Sequence, residues 1–595
     1  MEEQQFIDEP LKQYDTIYRD LHEQHVNQFI DDLINKSGVD PEANALTVKH
    51  IRQKENERDH LMKKIGKYRN LQVLVFLVNL AAVIGIAYSI YTMAQTGLID
   101  YIYIVVIVLA VILFILMIMV NRNKLKPVIK ESEKLKSKIE NEIAELKKEA
   151  WTQMGPLNAL FEAGMSKRLF QKTIPLIKLD PMFNAKRLDY LVNRFGLYED
   201  NDINRSALFV QSGEINGNPF YLCRDLVHHL GQKTYRGSIT IHWTTTSVVN
   251  GKRVTNHHTQ VLTATVDKPC PYYYEIPYLV YGNDAAPDLT FSREDSDAEI
   301  MNEKQIERMV KRDIKKLEKK SEKSITKGEN YTVMGNSEFE VLFGAHNRNH
   351  ELQFRLLFTP LAQKQLLALM KDQTIAYGDN FDFIKQKKIN RIYPEHLENF
   401  EFDQSPSYYA DYDLAVIRKR FVDYNNDYFK RIYFTFAPVL AIPLYQHTLP
   451  HEYIYKDLYE SYASFYEHEK VVNHMNVNDF KHPLCTTQSI LKTKVVKSGE
   501  QRDQIKVTAY GYRTEARVDY VQKMGGDGRF HTIPVNWTEY IPVEQDAMVE
   551  VNVVEEKEAE SMQDRIRKMV EDLQKGEFSK ESTLVLGSFI ARVIK

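Results

Sequence analysis

His242 and His257 come nearest to a chemically useful pair in this chain. Asn250-Gly251 is a strong type I′ turn signal, with strand-like sequence at Ile239–Thr244 before it and Gln260–Val266 after it. A two-residue turn there sets Thr244 opposite His257 and His242 opposite Thr259. The two imidazoles then become diagonal neighbours on one sheet face. Two imidazoles can begin a metal site, but a stable one needs three or four ligands in defined geometry. His228 and His229 are the only nearby donors that folding might add, so the pair reads first as a polar, Thr- and His-rich sheet face.

A second stretch holds His447, His451, Glu452, His468, Glu469, His474 and His482, with Tyr453, Tyr455, Tyr459, Tyr462 and Tyr466 between them. It lacks the His-Glu-x-x-His spacing that puts two ligands and a base on one helical face. The expectation is an amphipathic aromatic helix surface. Gly525-Gly526-Asp527-Gly528 is Gly-rich, but strand-like sequence flanks it on both sides, which predicts a hairpin turn and not a phosphate cradle. Cys270, between two prolines, reads as a buried thiol. No hydrolase elbow, protease signature or kinase set is present, so no catalytic or cofactor-binding residue is assigned and no cofactor is indicated.

The 595 residues carry 78 Lys+Arg against 81 Asp+Glu, a net charge of -3, which argues against a bulk nucleic-acid binder. Three cysteines, Cys223, Cys270 and Cys485, are too scattered for a disulfide framework and fit a reducing compartment.

The elements that must position these groups are organised around residues 71–120. Leu71–Ala94 and Tyr101–Val120 are uncharged apolar runs of bilayer length, joined only by Gln95–Asp100. Lys63, Lys64, Lys67 and Arg69 precede the first run, and Arg122, Lys124, Lys126 and Lys130 follow the second. By the positive-inside rule this predicts a two-span hairpin in a bacterial inner membrane with both chain ends in the cytoplasm. Residues 1–42 read as an amphipathic helix. Residues 43–70 and 121–154 read as the two helices of an antiparallel stalk, with a kink at Pro127.

Residues 155–400 read as a cytosolic α+β lobe with strands at Phe339–Phe343 and Leu352–Phe358 and a Lys-rich helix at 296–328. That helix is either a solvated connector or a lipid-surface contact. Residues 401–547 read as a long aromatic helix from Tyr412 and a meander of four short strands, 505–510, 516–521, 530–535 and 539–543. Ile432–Tyr445 is apolar but short and holds two prolines, so it is expected in the core. Residues 548–595 read as a charged helix near 556–574 and an apolar tail.

The segment Ser337–Leu369, SEFEVLFGAHNRNHELQFRLLFTPLAQKQLLAL, with Thr234–Thr246 before it, resembles an uncharacterised bacterial family. That family pairs an N-terminal transmembrane hairpin with a cytosolic α+β domain. The resemblance implies a fold and an anchor but no activity and no functional residue. The expected fold class is therefore α+β, and the expected role is a membrane-anchored scaffold or adaptor with a protein partner or a homo-oligomer. A membrane-tethered metal-dependent hydrolase is the alternative. An oligomeric transport or sensing assembly, with Gln72, Asn79 and Ser89 facing other subunits, is the third.

Overall fold

The computed structural model describes residues 6–96, 101–198, 202–249, 252–293, 295–328, 330–499, 502–553, 583–586 and 589–594. The fold is α+β, with long N-terminal helices and antiparallel sheets. It divides into two compact units. One is helical, residues 26–163 with 404–425; the other holds residues 1–25, 164–403 and 426–595. The regions 155–400 and 401–547 both contribute mainly to this second unit.

The chain begins with α1 (Pro10–Gln13), a π-helical turn (Tyr14–Tyr18) and α2 (Arg19–Ser37), closed by Gly38 at φ +67°. Asp40 then caps the next helix, its carboxylate accepting from the amides of Glu42 and Ala43 at 2.9 and 3.2 Å. That helix, α3 (Pro41–Thr96), runs 56 residues without a break. It is followed by α4 (Tyr101–Val120), a π-helical turn (Asn121–Leu125) and α5 (Lys126–Asn158). The break expected at Pro127 takes the form of this turn. There the Lys126 amide bonds the Asn121 carbonyl, stepping the register around the N–H that proline lacks.

Helices α3 and α5 are antiparallel partners. Thr47 meets Gln153 (3.0 Å), Glu55 meets Lys147 (2.7 Å), Arg69 meets Glu133 (2.6 Å) and Gln72 meets Asn121 (3.1 Å). Between these links Leu125 of the turn and Ile129, Ser132, Ile139, Ile143, Ala150, Met154 and Leu157 of α5 are buried, at the spacing of a coiled-coil seam. The seam continues into the apolar segment of α3, where Val75, Ala82 and Ser89 are buried at seven-residue intervals. Most other apolar side chains of that segment are exposed, and α4 buries none and half-buries only the stripe Tyr103, Ile107, Ala110, Phe114, Met117 and Val120. Both helices contain stretches long and apolar enough to cross a membrane.

In chain order the remaining elements start with α6 (Met165–Thr173), β1 (Ile177–Leu179) and α7 (Ala185–Asp189). Strand β2 (Arg205–Ile215) and the long β3 (Asn218–Val249), β4 (Lys252–Gly282) and short β5 (Thr290–Ser292) come next. A helical layer follows: α8 (Glu303–Thr326), α9 (Ser337–Phe343), α10 (Glu351–Leu357) and α11 (Pro360–Lys371). After β6 (Phe381–Gln386) and β7 (Ile389–Pro394), α12 (Pro406–Tyr409) belongs to the helical unit, and α13 (Leu414–Leu440) begins there. The chain closes with α14 (Pro443–His447), α15 (Phe465–His474), β8 (Ile490–Gly499), β9 (Arg502–Met524), β10 (Phe530–Val553), β11 (Thr583–Leu586) and β12 (Phe589–Ile594). One antiparallel sheet has the order β1-β2-β3-β4-β7-β6-β5 and the other β11-β12-β10-β9-β8.

Four expectations are corrected here. Phe339–Phe343 and Leu352–Phe358 are helices, not strands. Asn336 caps the first by accepting from the Phe339 amide, and His350 caps the second from the Gln353 amide. Phe354, Leu357 and Phe358 then fall on one helical face, which is buried. The meander of four short strands is two long ones, β9 and β10. The gaps left at 511–515 and 536–538 are strand as well, paired residue for residue between β9 and β10. The Tyr- and His-rich stretch from 447 to 482 is helical only over α14, α15 and a short 3₁₀ turn at Val477–Asp479. The expected helix near 556–574 lies outside the described residues. Ile432–Tyr445 is core, as expected: Ile432, Tyr433, Phe436 and Leu440 are buried.

Beyond β2 and β7, the β3–β4 ribbon continues with no strand partner at either edge among the described residues, and it packs face to face on the β9–β10 ribbon. Ile241, Leu262, Ala264, Ile533 and Val535 form the layer between them. Two glycines permit the approach. A Cβ on Gly237 would overlap the Pro534 carbonyl oxygen, and one on Gly526 would press on the Trp243 ring. Gly237→Val should therefore lower stability by about 1–3 kcal/mol through overpacking against backbone that cannot rotate away. Urea unfolding followed by Trp fluorescence reads this directly, and an unchanged midpoint would mean that the ribbons slide apart freely.

Candidate functional site

The His242 and His257 register is as expected, with Thr244 opposite His257 and His242 opposite Thr259. Both histidines are exposed on the ribbon. The His242 ring bonds Thr259 Oγ1 at 3.0 Å, while the neighbouring His258 stacks on Trp243 with centroids 5.1 Å apart. His228 lies further along β3, hydrogen-bonded to Asn204, so it is not part of this face pair. Among the described residues no group of three or more His, Cys, Asp or Glu is placed to hold a metal ion. Gly525–Gly528 forms the β9–β10 turn, where the Gly526 amide donates to Gln260 Oε1 at 2.7 Å. Cys270 is buried.

The chemistry gathers elsewhere, on the face of the large sheet beneath α15. Strands β2, β3, β4, β6 and β7 enclose with α15 and β8 a cavity of 340 Å³. Its walls include Arg205, Tyr221, Asp225, Tyr278, Arg391, Tyr393, Tyr466, Glu469 and Lys492. Strand alternation explains the convergence. Tyr221, Cys223 and Asp225 are every second residue of β3, and Tyr278 on β4 pairs with Cys223. Arg391 and Tyr393 are likewise alternate residues of β7.

Asp225 is 4 % exposed and accepts from Cys223 Sγ at 3.1 Å and from the Tyr278 hydroxyl at 2.9 Å. Burial raises its pKa above the usual carboxylate range, against the pull of those two donors. Burial and the neighbouring Asp225 also push the Cys223 thiol well up, so it is a poor nucleophile and serves as a donor. Glu469 is 2 % exposed, and burial lifts it to about 7 even though Lys492 stands 2.6 Å away. Its other oxygen accepts the Ala207 amide at 2.9 Å, which fixes α15 on β2. The Tyr221 and Tyr466 hydroxyls are 3.3 Å apart.

Arg391 and Arg205 stand in the wall with Asp202. Arg391 donates to the neutral Gln386 Oε1 at 2.8 Å and pairs with no carboxylate among the described residues. Arg205 is 3.7 Å from Asp202. The Tyr393 hydroxyl makes no hydrogen bond among the described residues, although Arg391, Arg205 and Asp225 all act on it electrostatically. Such a cavity can bind an oxyanion at its rim and exchange protons with hydroxyls inside.

Only Tyr466, Glu469 and the preceding His468 drew notice as sequence. Most of the other wall residues come from six strands, β2, β3, β4, β6, β7 and β8. The signal available was local: Asp225 interrupts the run Phe220–Val227, where a buried strand calls for apolar residues. His468 itself turns away from the cavity to the second sheet, 3.0 Å from Asp503. The eight basic residues flanking the apolar segments, Lys63, Lys64, Lys67, Arg69, Arg122, Lys124, Lys126 and Lys130, are all exposed. Compared with protein-family models, curated proteins and solved structures, the chain finds no match in any of the three.

Proposed function

We propose that the chain is a membrane-anchored scaffold or adaptor, held in a bacterial inner membrane by the α3–α4 hairpin with its β-rich body in the cytoplasm. One observation carries this reading. The antiparallel pairing that links α3 to α5 through ion pairs leads into α4 and the apolar part of α3, where most apolar side chains are exposed. Outward apolar surface of that extent is costly in water and matched to hydrocarbon. Exposed Lys and Arg at both inner ends, and none in the turn, favour cytoplasmic termini. The open edges of the β3–β4 and β9–β10 ribbons supply contact surface for a protein partner or a second copy.

The transport reading has less support, since Gln72 bonds Asn121 and Ser89 bonds the Gly85 carbonyl within the hairpin. A membrane-tethered enzyme is favoured by the polar cavity and not by a metal centre.

Reporters fused after Lys595 and inserted between Gln95 and Asp100 are expected to report opposite sides of the membrane. Deleting 71–120 should move the protein into the soluble fraction. Reporters on the same side, or a deletion variant still in the membrane pellet after carbonate washing, would overturn the anchor.

A further inference from the structure

We propose that the cavity beneath α15 binds a small phosphorylated polyol, with the phosphate on Arg391 and Arg205 and the hydroxyls among Tyr393, Tyr278 and Asp225. Binding here requires neither the adaptor reading nor catalysis.

The state of Arg391 is the first ground. The deeply buried arginines of this body are neutralised: Arg348 by Glu340 at 2.9 Å and Arg293 by Asp379. Arg391 lines a half-open cavity and has only a neutral amide as partner among the described residues. A guanidinium carries five donors in a planar fork suited to carboxylate or phosphate, and most of these are unused here.

The second ground is the number of donors. Arg391, Arg205 and the Tyr393 hydroxyl offer two guanidinium forks and a phenol, and a carboxylate has only two oxygens to share among them. A tetrahedral phosphate has enough lone pairs in enough directions for all three.

The third is the interior. Tyr278 and Asp225 form a donor–acceptor couple that an alcohol can enter by exchange, giving to the carboxyl and taking from the phenol. Burial lifts Glu469 to about 7 and raises Asp225 above the usual carboxylate range, so the pair opposes an anion less than two free carboxylates would. A volume of 340 Å³ is at the small end of ligand sites and suits a short polyol better than a nucleotide.

The phosphate ester can come from a soluble metabolite or from a lipid headgroup, and one titration scheme separates these. Full-length protein in mild detergent is titrated calorimetrically with glycerol 3-phosphate, inorganic phosphate and glycerol. The same protein in nanodiscs is compared with and without phosphatidylglycerol. Glycerol 3-phosphate is expected to saturate one site, glycerol to give no saturable heat, and inorganic phosphate to bind more weakly.

Arg391→Gln should weaken binding about tenfold or more, and Tyr393→Phe by a smaller factor. Lys268→Gln, on the ribbon, should leave it unchanged. Arg391 is only partly buried, and thermal unfolding will show whether Arg391→Gln keeps its fold; if it does not, Tyr393→Phe carries the test. Occupancy only in phosphatidylglycerol nanodiscs, lost in the same variants, would assign the headgroup as the source. No saturable binding of any phosphate at millimolar concentration, or equal affinity in folded Arg391→Gln and wild type, would overturn the site.

Discussion

Replacing Arg348 with Met should destabilise the β-rich body by about 3–5 kcal/mol, the range for breaking a buried ion pair from one side. Arg348 holds together the segment between α8 and α10. Its guanidinium meets Glu340 at 2.9 and 3.1 Å and Glu351 at 2.6 Å, and donates to the carbonyls of Thr332 (2.7 Å) and Ala345 (3.1 Å). It also lies over the rings of Tyr331 and Phe354 at 4.6 and 4.3 Å. Both charged side chains are almost completely buried. Removing the arginine leaves Glu340 with the Tyr331 hydroxyl and the Met334 amide, too little to offset an unpaired charge.

The double variant Arg348→Met, Glu340→Leu should recover part of the loss, because Glu340 then leaves no charge behind, while Glu351 keeps Arg355 at 3.5 Å. Urea unfolding of full-length protein in detergent measures both. A single-variant cost below about 1 kcal/mol would mean that water reaches the pair.

Lys385→Met carries the opposite sign. Lys385 on β6 is fully buried, its ammonium donating to the Ala285 carbonyl at 3.1 Å over the Tyr445 ring, with no carboxylate partner among the described residues. Burial pushes its pKa down to about 7, from about 10.4 in an unfolded chain. Between these values the unfolded state holds a proton that the folded state has released. Wild-type stability therefore rises with pH from about 7 towards 10, by up to about 1.4 kcal/mol per unit. Below 7 both states are charged and the full burial cost is present.

Methionine removes that cost and that slope. It should be more stable than lysine at pH 6.5 by on the order of 3 kcal/mol, after a loss of about 1 kcal/mol for the deprived Ala285 carbonyl. The advantage should shrink steadily as pH approaches 10. Denaturation curves at pH 6.5, 8 and 9.5 decide this, and a methionine variant that is weaker at pH 6.5 would show that the ammonium is satisfied where it lies.

Much of the architecture was legible because its signals are local. Apolar runs at 71–94 and 101–120 specify long helices without reference to the rest of the chain. A six-residue connection leaves antiparallel pairing as the only arrangement, and the Arg69–Glu133 and Glu55–Lys147 links agree. Asn250-Gly251 set the β3–β4 register correctly to the residue, since a two-residue turn has no slack.

The misreadings have separate causes. Phe339–Phe343 is buried at every position, so it carries no periodicity to tell helix from strand, and the Asn336 cap had to decide. The stretches 511–515 and 536–538 lack an apolar alternation, and only their pairing across the β9–β10 ribbon makes them strand.

The sequence by itself determined the helical hairpin, its basic flanks and the pairing of the long ribbon, all of which depend on neighbours within a turn or a few residues. Only the tertiary structure decided that Arg391, Tyr393, Asp225, Tyr278 and Glu469 share one cavity. These residues come from β3, β4, β7 and α15, and strand order in a sheet is a long-range property that no spacing along the chain encodes.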